Sequence, residues 1–125
     1  MPVLTASTLP TVVNYADIIF ESSRGDIWVV KHGYGIQRVA RDGSVRDYLS
    51  GSGTTVMNLF ESDENVLYAA SIDGGLMRYD ASDDDFVAVS FGESGIFEPR
   101  CIAQSSRHRL FIGTDGAGIK VYDPA

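Results

Sequence analysis

Six residues are of types that could hold a polar ligand: Lys31, His32 and Tyr34 in one short segment, Asp73 and Asp115 in two others, and Glu98. A phenol ring such as Tyr34 stacks on the apolar face of a sugar, while carboxylates accept hydrogen bonds from its hydroxyls. Asp73 and Asp115 also have a plainer use. Each is followed by Gly74 or Gly116, and Asp-Gly is a tight-turn pair because the turn needs positive φ.

Other chemistry is thinly supplied. His32 follows one apolar segment and His108 precedes another, which sets them at opposite ends of their strands and offers no shared zinc site. Asp80, Asp83, Asp84 and Asp85 lack the Asp-x-Asp-x-Asp-Gly spacing of a calcium loop and read as a solvated turn. Cys101 is the single cysteine, so no intramolecular disulfide is available, and a buried strand position is expected for it. No nucleophile–base–orienter set and no phosphate-cradling loop can be assembled. The expectation is a non-enzyme with no metal and no cofactor. The minority alternatives are a lyase or hydrolase working at a central opening, or a scaffold that binds only protein.

The elements that must position these residues come from a repeat. An offset of 40 carries Phe20-Glu21-Ser22 onto Phe60-Glu61-Ser62, Trp28 onto Tyr68, Gly35 onto Gly75 and Arg38 onto Arg78. A further offset of 43 carries Leu67-Tyr68 onto Leu110-Phe111, Gly75-Leu76 onto Gly118-Ile119, and Tyr79-Asp80 onto Tyr122-Asp123. Each copy reads as short strands joined by polar turns. In the second, Thr55–Glu61, Val66–Ala70, Leu76–Tyr79 and Asp85–Phe91 are the four. Four strands in about 40 residues is the period of a β-propeller blade. The fold class expected is therefore all-β, with three four-stranded antiparallel blades at about 10–49, 50–95 and 96–125 plus 3–9 forming one partial propeller domain. The third blade is split, with Val3–Leu9 standing at a fourth-strand position. Trp28, Tyr68 and Phe111 share one register and are expected between blades, and recurring Arg38 and Arg78 are expected in structural ion pairs or stem packing.

Loops joining second to third strands share one face of such a domain with the connections between blades, so the six ligand candidates gather there. Three blades do not close a ring. A four-stranded face of six-residue strands covers about 400 Å², and covering it is worth on the order of 10 kcal/mol before ordering costs. A homodimer closing a six-bladed ring is the expectation, with strand exchange by Val3–Leu9 as a lock. A fragment of a larger propeller is the alternative.

Gly75-Leu76-Met77-Arg78-Tyr79-Asp80 and Leu110-Phe111-Ile112-Gly113-Thr114, with Ile27-Trp28-Val29, resemble the two-component-regulator propeller repeat found in sensor regions of bacterial hybrid two-component systems. Val30 and Ala70 stand where that family has Gly, Lys31 and Ser71 where it has Thr, and Val39-Ala40 replace its terminal Tyr-Asp. The resemblance implies part of a larger sensor reading an extracytoplasmic signal, often a glycan, and a periplasmic location if that sensor is membrane-bound. From the residues alone the compartment stays open. Met1–Ala6 shows no basic or apolar signal-peptide region, and no apolar run reaches the roughly 18 residues of a membrane span. A formal charge of −7 argues against nucleic acid and anionic lipid as partners.

Overall fold

A computed structural model describes residues 16–31, 35–49, 55–72, 75–89 and 98–124. Eleven strands run in chain order, and no helix occurs among the described residues. Strands β1 (Ala16–Glu21), β2 (Ile27–Lys31), β3 (Gly35–Val39) and β4 (Val45–Tyr48) form the first antiparallel sheet in sequential order. The second repeats this with β5 (Val56–Glu61), β6 (Leu67–Ser71), β7 (Gly75–Asp80) and β8 (Asp85–Ala88). The third holds β9 (Pro99–Gln104), β10 (Leu110–Thr114) and β11 (Ile119–Tyr122). The fourth strand expected there from Val3–Leu9 falls outside the described residues.

The repeat reaches into backbone detail. Each first hairpin turns on a serine whose carbonyl accepts an N–H three residues later: Gly25 to Ser22 and Asn65 to Ser62 at 2.9 Å, His108 to Ser105 at 3.1 Å. The donor sits at φ of 86°, 63° and 66° in turn, a left-handed conformation that Gly adopts freely and that Asn and His enter more often than most side chains. The innermost strands share an irregularity too. Register shifts fall between Ala16 and Ile18, between Val56 and Asn58, and where Thr114 meets Pro99.

Two cores follow from strand alternation. Trp28, Val30, Ile36 and Tyr48 of the first sheet pack on Leu59, Leu67, Ala69 and Phe86 of the second. Tyr68, Ala70 and Leu76, on the opposite face of the second sheet, pack on Ile102, Leu110 and Ile112 of the third. Every residue of β6 is consequently buried, whereas β1 and β11 present exposed apolar side chains.

Three expectations are corrected. Phe111 shares the register of Trp28 and Tyr68 but is 40% exposed, because no described sheet follows its own. Cys101 is exposed on that same outer face, across from Gly113. Asp84 is not a merely solvated turn residue. Its carboxylate accepts hydrogen bonds from the hydroxyl of Tyr48 at 2.6 Å and from that of Tyr79, and pairs with Arg46 at 2.7 Å and Arg38 at 3.5 Å.

Candidate functional site

The end of the sheets where β6 meets β7, and β10 meets β11, is built by one device used twice. Thr55 precedes β5 and its carbonyl accepts the Ile72 N–H at 3.0 Å; Glu98 precedes β9 and its carbonyl accepts the Asp115 N–H at 2.9 Å. These bonds tie each loop after a second strand to the chain entering the innermost strand. Thr114 then closes the β10–β11 turn, with Oγ1 donating to the Gly118 carbonyl at 2.6 Å and accepting the Ala117 N–H at 3.1 Å.

On this frame Arg100 Nη2 donates to Asp115 Oδ2 at 2.9 Å, with both side chains about half exposed. Among the expected ligand residues, the structure thus brings Glu98 and Asp115 together and adds Arg100, which no sequence pattern singles out. Lys31 behaves differently. It ends β2, is buried, and donates from Nζ to Asp47 Oδ1 at 2.8 Å; Gln37 Nε2 donates to the same oxygen at 3.2 Å. That ammonium is held by the first sheet's own carboxylate and is not presented to solvent. His32 and Tyr34, between β2 and β3, and Asp73, between β6 and β7, lie outside the described residues.

The opposite end is knitted from sheet to sheet. In the β1–β2 turn, Ser23 donates from N and Oγ to Glu61, at 2.9 and 2.8 Å. In the β5–β6 turn, Asp63 donates its N–H to Gln104 Oε1 at 2.9 Å and accepts from Gln104 Nε2 at 3.0 Å. His108 Nδ1 adds a 2.5 Å contact to Asp63 Oδ2. Ser23 and Asp63 are repeat equivalents, and so are Glu61 and Gln104. One clip therefore recurs at both seams. The recurrence of Glu21 and Glu61 at the end of the innermost strand was its only signal in the sequence.

Between the first and second sheets a cleft of about 130 Å³ is bordered by Arg24, Asp26, Trp28, Arg38, Glu61 and Tyr79. Ligand pockets run to about 300–1,000 Å³, so this cleft is too small for a sugar ring with its substituents. Its floor is an aromatic cluster. Trp28 meets Tyr79 edge-on at 5.1 Å and Phe86 at 5.8 Å, and the Arg38 guanidinium lies over Trp28 at 5.7 Å. Burial, then the Asp84 carboxylate, push the Tyr48 and Tyr79 hydroxyls above the usual phenol range. Asp84 is held below the usual carboxylate range, chiefly by hydrogen bonds from Tyr48 and Tyr79 and further by Arg38 and Arg46, against the opposing effect of burial. Two phenols, one carboxylate and two guanidiniums thus share a single network across the first seam. Among the described residues, no group of three His, Cys, Asp or Glu gathers to hold a metal.

No protein-family model and no curated protein matches the chain. Solved structures do. The extracellular domain of a hybrid two-component system of B. thetaiotaomicron matches 84% of the chain at 23% identity and a TM-score of 0.68. A catalytically inactive virginiamycin B lyase from Staphylococcus aureus matches 94% at 18% identity and 0.66. YCF48 bound to D1 peptide matches 93% at 15% identity and 0.71. The chain spans 16%, 44% and 39% of these three proteins respectively. Identities this low establish a β-propeller type of fold, and such folds host unrelated functions.

Proposed function

We propose that the chain is a non-catalytic recognition segment, three blades of a propeller, and that it contributes to a bacterial sensor by binding an oligosaccharide at the Glu98–Arg100–Asp115 edge. The observation that carries this reading is the half-exposed Arg100–Asp115 pair on a backbone fixed by the Asp115–Glu98 hydrogen bond. A guanidinium beside a carboxylate offers fixed donors next to acceptors, the complement of neighbouring hydroxyls on a sugar ring. By the sequence repeat alone, His32, Tyr34 and Asp73 fall between second and third strands as Asp115 does, and Tyr34 is the aromatic side chain proposed to stack on the sugar. Two further observations support it: the opposite end is occupied by inter-sheet clips, and the cleft between the first and second sheets is too small for such a ligand. Similarity to sensor extracellular domains agrees with a location outside the cytoplasm.

The test is saturation-transfer NMR of the chain against a panel of bacterial and plant oligosaccharides. Arg100→Ala and Asp115→Ala are each expected to weaken the best ligand at least tenfold while leaving the circular dichroism unchanged. Binding indifferent to both substitutions would overturn the site. New product resonances growing in with time would overturn the non-catalytic reading.

A further inference from the structure

The two seams inside the chain are variations on one rule, and each end of the stack displays one unused half of it. On the trailing side of a seam, the first sheet presents Trp28 and Ile36 and the second presents Tyr68 and Leu76, all buried by the sheet that follows. The equivalents in the third sheet are Phe111 and Ile119, exposed to 40% and 69%. Val121 and Cys101 extend the same open face, the Cys101 sulfur filling the space that a side chain at Gly113 would take. On the leading side, Leu59 of β5 and Ile102 of β9 are each buried against the preceding sheet. Their equivalent on β1 is Ile19, which is 70% exposed.

The polar clip follows the same logic. Ser23 with Glu61 and Asp63 with Gln104 are its two occurrences. The next donor position is Ser106, in the β9–β10 turn, and the first acceptor position is Glu21, ending β1. Both are exposed, and neither side chain has a partner among the described residues.

The geometry points to a second copy of this chain as the occupant of the third sheet's outer face, docking through its own β1 so that Ile19 meets Phe111 and Ile119 and Glu21 meets Ser106. The argument for a copy is that one molecule carries both halves of the seam, one at each end of its stack. An interface between unlike faces closes only if its rotation closes, and two such seams related by a two-fold axis close with two chains. Three sheets from each copy give six, inside the four-to-eight range of propellers. This rests on reading the sheets as blades and goes beyond the ligand edge proposed above.

Light scattering with size exclusion at tens of micromolar chain is expected to give the mass of two chains. Ile19→Glu and Phe111→Glu, both at exposed positions, are each expected to give the mass of one chain with the Trp28 fluorescence unchanged. Ser106→Asp alone sets two carboxylates against each other and is expected to weaken association about tenfold. Ser106→Asp with Glu21→Gln recreates the Asp63–Gln104 pair and is expected to bring association back. A single-chain mass with a buried-type Trp28 emission overturns the docking and leaves the blade reading standing. A single-chain mass with solvent-type emission overturns both. A dimer indifferent to Ile19→Glu and Phe111→Glu, or a mass above two chains, also overturns the proposal.

Discussion

Replacing Asp84 by Asn measures how much of the first seam depends on one charge. The carboxylate accepts from two tyrosine hydroxyls and faces two guanidiniums. A hydrogen bond to a charged group is worth about 1.5–3 kcal/mol and a neutral one about 0.5–1.5, so losing the charge costs roughly 1 kcal/mol per hydroxyl. The ion pairs add little at a side chain that is 32% exposed, since exposed pairs contribute about 0–1 kcal/mol. The sum is about 2 kcal/mol, or roughly 7 °C in melting temperature for a chain of this size. Asn is the right probe because residue 84 has φ of 51°, which Asn tolerates and most residues do not. Trp28, the single tryptophan, touches Tyr79 directly, so its fluorescence during urea unfolding reports this seam. Asp83→Asn, a neighbour outside the network, is expected to stay within about 0.5 kcal/mol of the parent. If Asp84→Asn behaves like Asp83→Asn, the carboxylate is a solvated turn residue after all and the network carries no stability.

The same network sets a pH dependence with a definite sign. A carboxylate whose folded value lies below its ordinary one near 3.8 stabilises the fold above that pH, and the contribution fades as the pH falls through the folded value. The urea midpoint is expected to drop on acidification below about pH 4, less steeply in Asp84→Asn. For Tyr48 and Tyr79 the shift is upward, so their contribution is complete below the ordinary phenol value of 10.0 and fades above it; alkaline titration of the midpoint checks this. Gly35 and Gly43 have φ of 90° and 89°, but a Cβ on Gly35 would lie 2.2 Å from the Leu49 carbonyl oxygen while one on Gly43 meets nothing within 4 Å. Gly43→Ala is expected to cost about 1–2 kcal/mol from strain alone, and Gly35→Ala at least about 2 kcal/mol more from the clash. Equal losses by calorimetry would contradict the packing of Leu49 on β3.

Strand positions were legible in the sequence because side-chain alternation and turn chemistry are local. Asp-Gly pairs and apolar alternation declare themselves within one copy, and the Trp28–Tyr68–Phe111 register across three copies removed ambiguity. Trp28 and Tyr68 lie in the cores as their register required. What a copy meets on its far side is not local. Phe111 has the same type and register as its buried counterparts and yet is exposed, because burial is decided by whether another sheet follows. Lys31 looked like a loop residue from its spacing, but Asp47, two strands away in the sheet, captures it. Asp84 sat among acidic neighbours that the sequence treats alike. Only the stacking of the first sheet on the second, which brings Tyr48, Arg38 and Arg46 to it, made one of those carboxylates structural. The sequence by itself determined the strands, their turns and their period, since these depend on neighbours along the chain. Tertiary structure decided which charges are shared and which apolar faces remain open, since those depend on residues from 16 to 46 positions away.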